Sequence, residues 1–484
     1  MFDILTNFFR NEMNYLTGKN QEFEELLRAG DVSRAVSKMQ CLKKRSLELY
    51  AQYDPELHAI NRRPDKTVTN KLGRLLRVEK TAKIPVPYQQ YINEVALVFL
   101  LGRPLAWSNK SEGCDEAFEK FQWVLKHTHF NAKLREAKRL AGAEGESALL
   151  FRVFRNDDGS PDIQIRVLAA SKGDDIYTRW DVYGNLLTAA WGYSGKDGDD
   201  TMECMEVYTP DTTYHCVKAR LGWDITEEAN LSGKINMIIF RQEEEHHGAQ
   251  PLIERIESKS SRTADTNDYL EDPILLMNAD TIKNMPEKKE AVKTLAIVGE
   301  GADVNNAAKY LTYDHASEAK KAETDFLNDT IMNMTFTPKI TLDTMRQVSQ
   351  LSAKAMRTVL LLGYIKADRR KDTWDEMMDR TASLIKAIIG NVLDVSLARQ
   401  CKEMEIEHQW QEPFGDDVTE QLQNVATAFG AGIISEETAI EQNPLVKDKE
   451  LEKERLRREQ EERQKQQADL FNMPDGDEGA GTAE

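Results

Sequence analysis

Three Gly-Lys pairs, Gly18-Lys19, Gly195-Lys196 and Gly233-Lys234, are the first places to look for phosphate chemistry. None has both the upstream glycine and the following Ser or Thr that a phosphate-cradling loop needs to wrap the phosphates and hold magnesium. Gly299-Glu-Gly301 follows the strand-like run Thr294–Val298 and is half of a dinucleotide fingerprint. The third glycine is absent, so the segment reads as a turn. Glu243-Glu-Glu-His-His247 has metal-ligating residue types. Adjacent histidines on one element point away from a common ion, and no second histidine cluster accompanies them. The segment reads as a solvated strand-to-helix connection. His127 and His129 close a helix, where imidazoles meet the carboxyl end of the helix dipole. Carboxylates abound, but no spacing pairs two of them for acid–base work. The five cysteines, Cys41, Cys114, Cys204, Cys216 and Cys401, lack CxxC spacing. They read as reduced thiols of a protein made in a cytosol, with Cys204 and Cys216 as small apolar residues of neighbouring strands.

The elements that would position any site are numerous. The chain has 484 residues, which suggests two to four units. Charged residues are 30% and hydrophobic residues 40%, as in a helix-rich globular protein. No apolar run reaches the roughly 20 residues of a membrane helix, and Met1–Arg10 lacks the pattern of a signal peptide. The net charge of −18 excludes a surface built to grip nucleic acid throughout, since such grip comes from neutralising phosphates. An acidic surface can still line a passage, where repulsion keeps DNA from sticking. Trp107, Trp123, Trp180, Trp191 and Trp223 have no interleaved basic residues and read as core or interface rather than base-stacking platforms.

Helical periodicity covers Asn20–Tyr50, Tyr88–Gly102, Cys114–Lys126 and Ala132–Gly145. The period then changes. Ser147–Phe154, Ile163–Leu168, Ile176–Tyr183, Thr188–Tyr193, Glu203–Thr209, Thr213–Val217 and Met237–Arg241 read as antiparallel strands, so the fold class is α+β. Helices return at Pro251–Asp272 and His315–Met334, bracketing a small module. The first would extend about 33 Å. Leu351–Val395 is one long helical pattern, with Gly363 and Gly390 as bends. Met404–Trp410 alternates as a strand. Val418–Gly430 and Ser435–Gln442 are helices, the latter capped by Ser435. Lys447–Ala468 is a solvated helix of mixed charge, and Asp469–Glu484 is a disordered acidic tail.

Five segments, in order, resemble the portal proteins of tailed double-stranded DNA bacteriophages. Lys83-Ile-Pro-Val-Pro-Tyr88 leads into Tyr91–Pro104, which is similar to a portal helix closing on an aliphatic-Gly-x-Pro signature. Leu140–Phe154, Asp157-Asp-Gly159 and Ile163–Leu168 resemble the portal wing. Pro251–Met277 matches a long helix ending in an aliphatic run. Leu351–Val395 resembles the long bent helix after the tunnel loop. Glu405–Trp410 and Pro413, followed by Gly432-Ile-Ile-Ser-Glu-Glu-Thr-Ala-Ile440, Asn443-Pro-Leu-Val-Lys-Asp448 and the charged helix beyond, look like the family's C-terminal crown.

The resemblance implies a mainly helical portal fold with an antiparallel β wing region. Its parts would be a wing at 1–248, stem helices at 249–272 and 315–334, and a clip at 273–314. A tunnel loop would follow at 335–350, then a long bent helix and wing strand at 351–415 and a crown at 416–468. It implies a structural protein, not an enzyme, with no cofactor and no metal. The chain would form a dodecameric ring at one capsid vertex, assembled in the bacterial host cytoplasm. Double-stranded DNA would pass through the ring during packaging and ejection. The terminase large subunit, a head–tail adaptor, and the major capsid and scaffold proteins would be its partners. Lys339, Arg346 and Lys354 are the candidates for weak, exchangeable contacts in the channel, and Pro286, Lys288, Lys289 and Lys293 for partner binding at the clip. Ser258, Ser261 and Ala264 would permit close lateral approach of neighbouring stems, but each taken singly reads as ordinary surface helix. Two other classes fit parts of this pattern: another minor head protein, which predicts no closed ring, and a nucleic-acid enzyme, which predicts metal-dependent activity.

Overall fold

A computed structural model describes residues 22–69, 73–197, 200–220, 222–271, 275–278, 294–297, 308–310, 317–340, 357–413, 418–443, 445–446 and 449–471. The chain divides into two units. One comprises Met1–Arg346 with Thr358–Pro413, the other Gln347–Arg357 with Phe414–Glu484.

The first unit begins with helical residues 22–28, then α1 (Val32–Ser37), the short strand β1 (Gln40–Cys41) and α2 (Lys43–Tyr53). The expected continuous helical region is therefore broken twice. Gly30 has φ of +81°, a conformation that side chains with a Cβ resist, and Asp31 caps α1 by accepting the Arg34 amide at 3.1 Å. A hairpin of β2 (Lys66–Thr69) and β3 (Leu75–Glu79) follows, where no strand was expected. Then come α3 (Tyr88–Leu101), β4 (Ala106–Asn109), α4 (Asp115–His127) and α5 (Phe130–Glu144).

Strands β5 (Glu146–Arg155), β6 (Pro161–Leu168), β7 (Asp175–Trp180), β8 (Leu186–Asp197), β9 (Asp200–Tyr208), β10 (Thr212–Ala219), β11 (Gly222–Ala229) and β12 (Met237–Arg241) form the antiparallel region. They make a six-stranded sheet, β1-β7-β8-β9-β10-β11, and a three-stranded sheet, β12-β5-β6. The period of two explains how the smaller sheet serves two cores. Leu149, Phe151, Ile238 and Phe240 join the helical core with Phe121, Phe130, Trp374 and Ile385. Their neighbours Ala148, Leu150, Met237 and Ile239 pack with Ile176, Ala189 and Trp191 of the larger sheet. In that sheet Cys216 lies opposite Met205 and Cys204 opposite Val217, and both thiols are free.

Helix α6 (Gln250–Glu271) is followed by β13 (Leu275–Asn278), β14 (Thr294–Ile297) and β15 (Ala308–Tyr310), then α7 (Ser317–Met334). β13 is the middle strand, parallel to β14 and antiparallel to β15. Helix α8 (Leu361–Ile388) ends in a π-helical turn at Ile389–Leu393, and α9 (Ala398–Glu403) and β16 (Ile406–Gln409) complete the unit. Gly390, one of the two glycines expected to bend the long helix, lies in this π-helical turn. Gly363, by contrast, lies inside α8, where a Cβ would come within 2.5 Å of the Phe99 ring, so this glycine serves helix packing. The expected strand at 404–410 forms as β16 and pairs with β4, burying Trp107 beside His408.

The second unit contains α10 (Val418–Gly430), α11 (Glu436–Gln442) and α12 (Lys449–Phe471). Ser435 caps α11 as expected, accepting the Thr438 amide at 3.2 Å. The mixed-charge α12 pairs Lys453 with Glu441 at 3.1 Å and Arg457 with Glu437 at 3.6 Å.

Candidate functional site

Helices α6 and α7 pack antiparallel. Ile253 and Ile256 meet Leu327 and Ile331 over Ile92 of α3, while Arg255 and Lys259 reach Glu323 at 2.9 and 3.1 Å. The apolar contact lies at the base of the pair, and the ionic contacts lie further out, where less apolar surface is available to bury.

The other side of α6 carries a stripe of polar residues spaced by four, Glu257, Ser261 and Asp265. The extended segment 82–86 runs along this stripe. Its amides at Ala82, Ile84 and Val86 donate to Asp265 at 2.7 Å, Ser261 at 3.0 Å and Glu257 at 2.8 Å. A strand step of two residues spans roughly 6.6 Å and a helical step of four roughly 6 Å, so the two ladders stay in register. Pro85 has no amide to satisfy, which suits its position between two donors. Ser261 is fully buried by this strap. It faces neither solvent nor a neighbouring stem, which corrects both the surface-helix reading and the lateral-contact reading. Ser258 and Ala264 stay partly exposed.

The segment after α7 is tied back to the core. Thr335 donates to the Ile331 carbonyl at 2.8 Å, and Tyr91 donates to the Pro338 carbonyl at 3.3 Å and accepts the Ile340 amide at 3.1 Å. Lys339 is exposed and ion-paired with Asp329 of α7. The other channel candidates, Arg346 and Lys354, lie outside the described residues, as do Pro286, Lys288, Lys289 and Lys293. The structure therefore brings Lys339 to the foot of α7 and leaves the six others without a described position.

The Glu243–His247 segment is not a solvated connection. Glu245 is completely buried and touches Lys138 of α5 at 2.6 Å, and Lys366 and Arg370 of α8 at 3.2 and 3.1 Å. Burial alone would raise its carboxyl, but the three cations hold it well below the ordinary carboxylate range. Burial pulls the Lys366 ammonium down to about 8 and the His246 imidazole down to about 4. The node locks α5, the turn before α6, and α8 together. Sequence spacing could not reveal it, because Lys138, Glu245 and Lys366 are far apart in the chain. Among the described residues no group of three or more His, Cys, Asp or Glu side chains could hold a metal ion. No described helix is long and apolar enough to cross a membrane. His127 stacks on Trp123 and sits 2.9 Å from Asp162. Trp191 is buried and donates to Asp174 at 2.9 Å.

The described chain is thus an α+β body that carries an antiparallel helix pair with three short strands between its helices in the sequence. A family model for phage portal proteins of the SPP1 Gp6-like type matches residues 43–466. The chain belongs to that family. No curated protein matches it. The family is one of structural, non-enzymatic virion components. Its members form the oligomeric ring at a capsid vertex through which the phage DNA passes, and this is the role of the chain.

Proposed function

We propose that α6 and α7 are the stem of the portal subunit, within stem segments 249–272 and 315–334, and that residues 273–314 are its clip. The observation that carries this reading is the antiparallel α6–α7 pair with β13, β14 and β15 in the sequence between them. The described parts of 1–248 and 351–415 share one hydrophobic core, which supports reading them together as wing. Residues 335–350 are the tunnel loop, and 416–468 are the crown.

In this reading the ring is a dodecamer with heterologous contacts that close by rotation. The clip docks the terminase large subunit during packaging and a head–tail adaptor afterwards, through Pro286, Lys288, Lys289 and Lys293. The wing meets major capsid and scaffold proteins as the particle assembles in the host cytoplasm. Lys339, Arg346 and Lys354 give the passing duplex weak contacts in an otherwise acidic bore. Asp329 beside Lys339 favours such a weak contact, because it leaves the cation only part of its field for phosphate.

Electron microscopy of the purified protein tests this reading. Closed rings of twelvefold symmetry, with the 273–314 segment at the narrow end, are the expected result. A monomer under all salt conditions, with or without DNA or scaffold protein, overturns it.

A further inference from the structure

The β2–β3 hairpin has no core of its own. Leu75, Leu76 and Val78 are 60%, 64% and 54% exposed, and the hairpin forms a separate two-stranded sheet. An isolated two-stranded hairpin is marginal in water, and three neighbouring exposed aliphatics call for a cover. The described hairpin and its flanks carry Lys66, Arg74, Arg77 and Lys80 against Asp65 and Glu79, a net positive patch on a chain of net charge −18, in which Arg77 pairs with Glu79 and Lys66 with Asp265. A cover that is apolar and carries carboxylates complements it.

Such a face exists on α7. Phe326 is 67% exposed and is flanked by Asp325 and by Asp329, the partner of Lys339. Asp325 has no ion pair among the described residues. The positions of the two surfaces are complementary. On α6, the strap stripe of Glu257, Ser261 and Asp265 lies on the side away from Arg255 and Lys259, which reach α7. On α7, Glu323, Leu327 and Ile331 face α6 and the core, so Asp325, Phe326 and Asp329 turn away. The hairpin is rooted on the strap side, where Lys66 lies 3.7 Å from Asp265 and Asp65 accepts the Thr81 amide at 3.2 Å. Strap, α6 and α7 thus form a row with the basic, apolar hairpin at one end and the acidic, aromatic face at the other.

We propose that in the ring the β2–β3 hairpin of one copy docks on the Asp325–Phe326–Asp329 face of α7 in the next. This inference rests on the ring assembly and deepens it by naming the contact. A head-to-tail contact between two different patches is the kind that closes a ring by rotation. Burying Phe326 against Leu76 and Val78 removes apolar surface on both partners from water, and the opposite charges orient the approach.

The test uses the full chain with the exposed Cys41→Ser change as background. Leu76→Cys and Phe326→Cys in the same chain, mildly oxidised, should give a ladder of covalent oligomers on a non-reducing gel. The two single variants, mixed, should stop at dimers, because each chain then has one reactive end. In a second arm, Phe326→Asp and Leu76→Ser/Val78→Ser should each lower ring yield at least tenfold while far-UV circular dichroism is unchanged. Rings that form without a ladder, or at full yield in the second arm, overturn this contact but leave the ring standing. Chains that remain monomeric without any substitution overturn both.

Discussion

Nδ1 of His58 lies 2.6 Å from Oε1 of Glu257, and the same oxygen accepts the Val86 amide at 2.8 Å. Both side chains are 2% exposed. One carboxylate oxygen thus joins three separate pieces of chain: the 3₁₀ turns after α2, the proline-rich strap and the middle of α6. Removing it leaves a buried imidazole and a buried amide without their acceptor. Glu257→Ala should therefore destabilise the first unit by about 3–5 kcal/mol. Chemical denaturation followed by circular dichroism checks this. His58→Ala leaves the strap amide satisfied and should cost less.

Glu245 makes the same argument with charges. Its neutral replacement Glu245→Gln leaves Lys138, Lys366 and Arg370 facing one another around a buried position. Breaking a buried ionic cluster by deleting one member costs about 3–5 kcal/mol, because the remaining charges stay desolvated. The expected readout is a lowered apparent melting temperature or loss of soluble protein. An unchanged melting temperature would mean that water already reaches the node.

Glu144 gives a pH dependence. It is 1% exposed, accepts the Ser171 amide at 3.0 Å and is bonded by the Ser171 hydroxyl. Burial pushes its carboxyl up to about 7, against the pull of the Ser171 bonds. The folded state therefore holds this proton more tightly than the unfolded state does. Its contribution to stability is complete below the ordinary carboxylate pKa of roughly 4.3 and is lost as pH rises through about 7. Glu144→Gln should flatten the fall in stability between pH 5 and pH 8, a difference on the order of 2–3 kcal/mol. Melting curves of both proteins across that range decide it.

Gly363 should not tolerate a side chain. A Cβ there meets three Phe99 ring atoms at 2.5 to 2.6 Å, within the α3–α8 contact. Gly363→Ala, although it favours the helix locally, should destabilise by about 1–3 kcal/mol through overpacking. A companion Phe99→Leu change should recover part of the loss.

The residues proposed for the channel and for the clip should separate by phenotype. Replacing Lys339, Arg346 and Lys354 together by Ala should leave ring formation intact and reduce DNA retention or the rate of packaging. Lys288→Glu with Lys289→Glu and Lys293→Glu should spare the ring and weaken terminase binding at least tenfold. Rings mixed with purified terminase, and packaged DNA measured by nuclease protection, give the two readings.

Much of the molecule was legible in the order of residues. Local rules sufficed for most helices and for strands β5 to β10, β12, β14 and β16, because periodicity and capping act within a few residues. Ser435 could be named as a cap for that reason. The family was legible as well, since its motifs are runs of adjacent residues in a fixed order. Strands β1, β2, β3, β4 and β11 escaped the reading because they are short or exposed and their apolar pattern is weak. Ser261 read as helix surface, open to a lateral contact, because its small size was visible and the strap that buries it was not.

By itself, then, the sequence determined the class of fold, the order of its main helices and strands, and the family to which the chain belongs. Only the tertiary structure decided that Glu245 is buried among three cations rather than solvated, and that Ile84 and Ser261 are bonded. The reason is physical. Helix and strand periods arise from interactions between near neighbours, whereas the burial of a charge depends on which distant segments fold over it.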